Sequence, residues 1–201
     1  MPISDKYKVI FLHNPKTGGL SICDLLEFQV GFECLVNLYD DNCKPAYQHL
    51  TYNQLKIIIP PIKFNSYFKF TFVRNPWERI VSTYWWNTRG FNTLELFIDF
   101  IDDLFSKYTV DTIYNYPNFQ VFMCSHFLPQ YLYVGPDVHI YRYENYETDI
   151  KDLLKRIGIT KDVPKLNISY HDHYSIYYNE KMKNIITKLY AKDIELFNYT
   201  F

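Results

Sequence analysis

Apolar positions in this chain fall into short unbroken runs, separated by longer stretches where they recur every three or four residues. Val9, Ile10, Phe11 and Leu12 form the first run, which stops at Asn14 and Pro15, and the pattern predicts a fully buried strand. Ile22, Leu25 and Leu26 follow at helical spacing, so the order is strand, tight loop, helix. Phe32–Tyr39 is a second strand-like patch, and 40–46 is a polar loop holding Pro45. Thr51 with Gln54 forms a capping box that opens a short helix toward Ile59, ended by Pro60 and Pro61. Phe70, Phe72 and Val73 make another buried strand, and Pro76 stands where proline suits the first turn of the next helix.

Further along, Asn92 with Glu95 opens a helix in which Leu94, Phe97, Ile98, Ile101, Leu104 and Phe105 share one buried face. Val138–Tyr143 reads as a late strand, and Ile150, Leu153, Leu154 and Ile157 as a helix stopped near Gly158. The stretch 167–178 is polar, aromatic and irregular, and Met182, Ile185, Ile186, Leu189, Ile194 and Phe197 predict one C-terminal helix. Strands alternating with helices imply an α/β fold with right-handed crossovers and a mostly parallel sheet covered on both faces. Ligands of such sheets gather at the carboxyl ends of the strands.

At 201 residues, with no linker or internal repeat, the chain is expected to be a single domain, 1–201. With 20 Tyr and 16 Phe, many core positions must accommodate a phenol whose hydroxyl reaches a partner. A formal net charge of −1 provides no global attraction for nucleic acid, so any anion site must be local. The opening residues leave no room for a signal segment and no run is fit to span a membrane, which predicts a soluble, cytoplasmic protein. Cys23, Cys34, Cys43 and Cys124 lack zinc-site spacing, and reduced thiols are expected.

Candidate chemistry concentrates where the first and third of these strands end. Lys16, Thr17, Gly18, Gly19 and Ser21 follow the first strand directly, and such a loop can turn backbone N–H groups toward an anion at a helix N-terminus. The glycines permit close approach and Lys16 adds a mobile positive charge. The lysine precedes the glycines, which departs from the nucleotide-triphosphate loop with its Gly-Lys-Ser/Thr order. The strand Phe70–Val73 ends in Arg74, where an ATP- or GTP-hydrolysing enzyme would commonly place an Asp for magnesium. Arg74 offers a planar donor fork suited to phosphate, and Ser82, about two helical turns on, can present a hydroxyl to the same anion.

Pro15-Lys16-Thr17-Gly18-Gly19-Leu20-Ser21 resembles the 5′-phosphosulfate loop of sulfotransferases that use 3′-phosphoadenosine 5′-phosphosulfate (PAPS), and Arg74 with Ser82 resembles their 3′-phosphate site. The family resembled is the carbohydrate-type sulfotransferases, which include membrane-bound Golgi enzymes acting on glycosaminoglycans and soluble bacterial or viral relatives. Ser125-His126-Phe127-Leu128-Pro129-Gln130, Tyr143-Glu144-Asn145-Tyr146 with Asp149, and Tyr190-Ala191-Lys192-Asp193 leading to Phe197 and Tyr199 extend the likeness. It implies a three-layer, P-loop-like fold with a mostly parallel central sheet flanked by helices. It also implies PAPS as donor, 3′,5′-ADP as product and a hydroxyl acceptor on a carbohydrate or glycoconjugate, with no nucleic-acid or membrane partner. Leu20 departs from the pattern, which more often has a small or hydroxylated residue there, and it removes one hydrogen bond while leaving the loop backbone available.

Under this resemblance Lys16 acts on the bridging and leaving oxygens. Thr17, Gly18, Gly19, Leu20 and Ser21 line the 5′-phosphosulfate, and Arg74 with Ser82 clamps the 3′-phosphate. The arrangement requires no metal. His49 is similar to the catalytic histidine segment of uronyl 2-O-sulfotransferases, and its near-neutral unperturbed pKa suits a general base; a histidine that only caps a helix or meets solvent is the alternative. His126 is the second candidate base, and His13 is read as a buttress of the loop. His171, Asp172 and His173 read as an exposed loop, Arg79 and Arg89 as surface ion-pairing residues or anion contacts, and Glu144 as a helix-start carboxylate. A small kinase and a non-catalytic nucleotide- or sulfated-glycan-binding protein remain the alternative functions.

Overall fold

β3 (Phe68–Val73) is hydrogen-bonded along both edges and buried at every position after its first. In the computed structural model, which describes residues 3–26, 49–86, 92–108, 126–161 and 172–201, the chain divides into two compact units. The first comprises Met1–Val73 with Leu132–Asn167, and the second Arg74–Tyr131 with Ile168–Phe201.

Among its described residues the first unit holds a four-stranded sheet in the order β1 (Ile3–Ser4), β2 (Val9–Phe11), β3, β4 (Val138–Arg142). β2, β3 and β4 run parallel and β1 pairs antiparallel to β2, in agreement with a mostly parallel sheet. The two-residue β1 is too short for alternation to announce it. Side chains alternate across β2 and β3, so Val9, Phe11, Phe70 and Phe72 share one face with Tyr141 of β4. That face packs on Ile22, Leu25 and Leu26, from α1 (Gly19–Leu25) and its C-cap. Ile150, Leu153 and Leu154 of α6 (Tyr146–Ile157) complete the core. Phe11 stacks on Phe70 at 5.0 Å and Phe72 on Tyr141 at 5.1 Å.

The capping box forms as expected: Thr51 opens α2 (Tyr52–Ile58), with Gln54 accepting from the Thr51 backbone. Pro60 and Pro61 end α2, but they also begin a helix the pattern did not announce, α3 (Pro61–Ser66). Proline at the first helical position forfeits only an N–H that would lack a partner anyway. The strand patch Phe32–Tyr39 and the loop at 40–46 lie outside the described residues.

The second unit is helical among its described residues. α4 (Pro76–Trp86) buries Trp77, Ile80, Val81 and Tyr84, and α5 (Leu94–Lys107) buries the stripe expected of it except Phe105, which is half-buried. Its cap is Thr93, whose side chain accepts from Leu96 N–H, and not Asn92. The expected single C-terminal helix is two, α7 (Glu180–Leu189) and α8 (Ala191–Phe197), parted at Tyr190 (φ −112°, ψ 25°). Tertiary bonds explain the break: the Tyr190 phenol donates to Phe127 O at 2.6 Å, and Asp193 accepts from two backbone N–H groups. Within 172–178, expected to be irregular, Tyr174–Tyr177 forms a 3-10 turn capped by His173.

Gly158 closes α6 in the left-handed region (φ 73°), and Ile159 N–H donates to Leu154 O at 2.9 Å. A Cβ at Gly158 would meet nothing within 4 Å, so a substitution there isolates backbone strain from packing. Gly158→Ala is expected to cost about 1 kcal/mol and Gly158→Asn less, read from urea unfolding midpoints.

Candidate active site

The loop between β2 and α1 is held to β3 before it turns. Leu12 N–H donates to Phe70 O at 2.9 Å, Thr71 Oγ1 donates to Leu12 O at 2.8 Å, and Asn14 Nδ2 donates to Phe72 O at 3.0 Å. Thr17 is fully buried and its hydroxyl donates to Asn14 O at 2.8 Å, so this side chain closes the turn from within. Lys16 (φ 65°) and Gly18 (φ 79°) both take left-handed conformations. Alternate left-handed residues belong to the backbone geometry from which anion-binding concavities are built. Gly18 adopts it freely, whereas Lys16 does so at a cost of about 1–2 kcal/mol that the surrounding bonds hold in place.

Close approach requires both glycines, and torsion also requires Gly18. A Cβ on Gly19 would lie 2.0 Å from His13 Nε2, and one on Gly18 would lie 2.9 Å from the Tyr146 ring. His13 is buried, stacks on Phe11 at 5.0 Å and has the Cys23 thiol 3.8 Å from Nδ1. Tyr146 donates its hydroxyl to Gly18 O at 3.3 Å and also meets Ser21; burial pushes its phenol up to about 12. Tyr146 was recognised in the sequence only as a mark of resemblance; here it walls the loop. Leu20 is half-buried and Ser21 buried, both within α1.

His49 is buried away from solvent, and the helix that follows it is capped by Thr51. The histidine is 4 % exposed, its ring packs edge-on to His13 at 4.4 Å, and its Nδ1 lies 2.7 Å from His13 O. A carbonyl only accepts, so Nδ1 carries the proton and Nε2 is the basic nitrogen. Burial lowers the pKa from 6.5 to about 4, and the Lys16 ammonium adds to the shift while the bond to His13 O opposes it. The structure therefore brings Lys16, the two glycines, His13 and a neutral His49 together in the first unit.

In the second unit Arg74 is 4 % exposed and its Nη2 pairs with Glu78 at 3.0 Å. Glu78 was not foreseen, although its position four residues on, one helical turn, is the signal that finds it. The main chain of Arg74 is clasped by Gln130, which accepts from Arg74 N–H at 2.9 Å and donates to Arg74 O at 2.7 Å. Ser82 is buried on α4.

Arg79 corrects the expectation of a surface ion pair, for it is fully buried. Its guanidinium donates to Leu128 O at 2.8 Å and His126 O at 3.4 Å and lies 5.3 Å from the centroid of the Tyr190 ring. Two main-chain carbonyls and an aromatic face replace the water that a charged side chain would otherwise need. Asp193, also fully buried, has its pKa raised by burial, with the Arg79 charge acting against the rise. His126 is buried and stacks on Trp86 at 4.6 Å. Arg89 and His171 lie outside the described residues, and Glu144 is exposed on the 3-10 turn Tyr143–Asn145. Among the described residues no group of three or more His, Cys, Asp or Glu is placed to hold a metal ion, and no helix is long and apolar enough to cross a membrane.

A family model described as Sulfotransferase family matches residues 1–200. No curated protein and no solved structure matches the chain.

A histidine held neutral by burial leaves a signature in stability. The unfolded chain takes up a proton at 6.5 and the folded one only at about 4, so this contribution is intact above 6.5 and lost as pH falls toward 4. The loss amounts to roughly 3 kcal/mol. Urea unfolding at pH 7 and pH 4.5 should show wild type losing more stability than His49→Gln, by about 2–3 kcal/mol. Equal losses in the two proteins would mean that His49 is not held neutral.

Proposed function

The chain belongs to the sulfotransferase family, and from that premise we propose that it transfers a sulfuryl group from PAPS to a hydroxyl of a carbohydrate or glycoconjugate. The observation that carries this reading is the loop at Lys16–Gly18, left-handed at two positions and pinned to β3, with the neutral His49 close enough to Lys16 to feel its charge. Residues 1–201 would form one catalytic domain, a reading supported by a single family match that spans both compact units.

The loop N–H groups of Thr17, Gly18, Gly19, Leu20 and Ser21 take the 5′-phosphosulfate. Thr17 contributes through its backbone, because its hydroxyl already serves Asn14. Arg74 and Ser82 take the 3′-phosphate, with Arg74 exchanging part of its contact with Glu78 for the ligand. His49 Nε2 removes the acceptor proton as the acceptor oxygen bonds to sulfur. Lys16 neutralises the bridging oxygen as the sulfur–oxygen bond of the donor breaks and 3′,5′-ADP departs. This is catalysis by positioning and charge stabilisation, analogous to phosphoryl transfer. A bound phosphosulfate offsets the Lys16 charge and raises the basicity of His49 when the base is needed.

Calorimetric titration with 3′,5′-ADP, with 5′-AMP and magnesium-ATP as controls, tests the donor site. Selective binding of 3′,5′-ADP without metal is expected, and preference for magnesium-ATP would overturn the reading. With labelled PAPS and a glycan acceptor panel, Lys16→Ala should slow transfer on the order of 10²–10³-fold while changing donor binding far less. Equal loss of both would make Lys16 a binding residue. If His49 is the base, the acid limb of kcat/KM lies near 4 and that of kcat lies higher, since the free and donor-bound enzymes differ in charge beside it. His49→Gln should abolish that limb and lower kcat about 10²–10⁴-fold.

A further inference from the structure

Arg74 is held through its main chain by a buried polar network whose cost points to a purpose other than stability. Gln130 and Asp193 are both fully buried. Each oxygen of Asp193 accepts from a consecutive backbone N–H, Oδ2 from Gln130 at 2.7 Å and Oδ1 from Tyr131 at 2.9 Å. Gln130 then directs its carboxamide at Arg74, with Oε1 toward the N–H and Nε2 toward the carbonyl, the one orientation in which both bonds form. Arg79 and Tyr190 fix the same segment by taking the carbonyls of His126, Leu128 and Phe127.

Buried charges hydrogen-bonded in this way seldom stabilise a fold better than apolar side chains of the same volume. What the network does provide is a defined place for one short stretch of main chain, and that stretch grips the residue bearing a guanidinium. We propose that Gln130 and Asp193 are positioning residues for the 3′-phosphate contact, Asp193 setting the backbone of Gln130 and Gln130 setting the backbone of Arg74. The inference rests on Arg74 as the 3′-phosphate ligand. It gives two marks of the family resemblance, Pro129-Gln130 and Ala191-Lys192-Asp193, a shared role in donor selectivity.

The readout is the ratio of affinities for 3′,5′-ADP and 5′-AMP, measured calorimetrically on the full chain, because a merely structural role would move both ligands together. Gln130→Met keeps the side-chain length and deletes both bonds to Arg74, and Asp193→Asn keeps the shape while removing one of two acceptors. Near-ultraviolet circular dichroism reports whether each variant is folded. With Arg74→Ala abolishing the preference, Gln130→Met is expected to lower it about tenfold, with 5′-AMP binding within about twofold of wild type. Asp193→Asn should lower it in the same direction by less, and it carries the test if Gln130→Met does not fold. A folded Gln130→Met that keeps the full preference, or loses affinity for both ligands equally, overturns the positioning role while leaving Arg74 as the ligand. An unchanged preference in Arg74→Ala overturns the Arg74 reading itself, and this inference with it.

Discussion

Pairing between β2 and β3 does not stop where β2 stops, and the candidate loop depends on that continuation. Beyond Phe11 the ladder is carried first by Leu12 N–H on Phe70 O, then by the Thr71 hydroxyl on Leu12 O, then by the Asn14 amide on Phe72 O. The first is still a main-chain bond, and the other two replace strand bonds with side-chain bonds as the chain peels away from the sheet. A loop tethered in this way can hold Lys16 in a left-handed conformation that a free loop would relax. The aromatic face below, Phe11 on Phe70 and Phe72 on Tyr141, makes the tether rigid because neither strand can shift without opening the core.

On that base the surroundings of the loop are shaped by close approach. His13 occupies the space a side chain on Gly19 would need, and its carbonyl fixes the tautomer of His49. Tyr133 donates to His49 O at 3.2 Å, so the histidine is held at its main chain as well as at its ring. One residue, His13, thus links the shape of the loop to the protonation state of the candidate base. Desolvation does the rest: a histidine this deeply buried beside an ammonium stays neutral.

The helical unit solves a different problem, the burial of charged and amide side chains. Arg79, Asp193 and Gln130 are each fully buried, and each spends its polar atoms mainly on the backbone of 126–131 or of Arg74. Substituting main-chain partners for water makes such burial tolerable. It also converts residues that look like surface charges in a sequence into fixed struts.

Local physics made much of this protein legible before any coordinate. The run at Val9–Leu12, the Thr51–Gln54 capping box and the Gly158 stop each depend on neighbours a few residues away, and each appears where the pattern places it. The family likeness rests on the same local motifs, and the family match over residues 1–200 agrees with it. What only the tertiary structure decided involves partners far apart in the chain: His49 with His13 across 36 residues, Gln130 with Arg74 across 56, and Asp193 with Gln130 across 63. Spacing carries no record of such meetings, so the neutral state of His49, the burial of Arg79 and the break at Tyr190 were hidden. All three follow from how much water a polar group loses when distant segments close over it, a quantity set by the fold and not by the neighbouring letters.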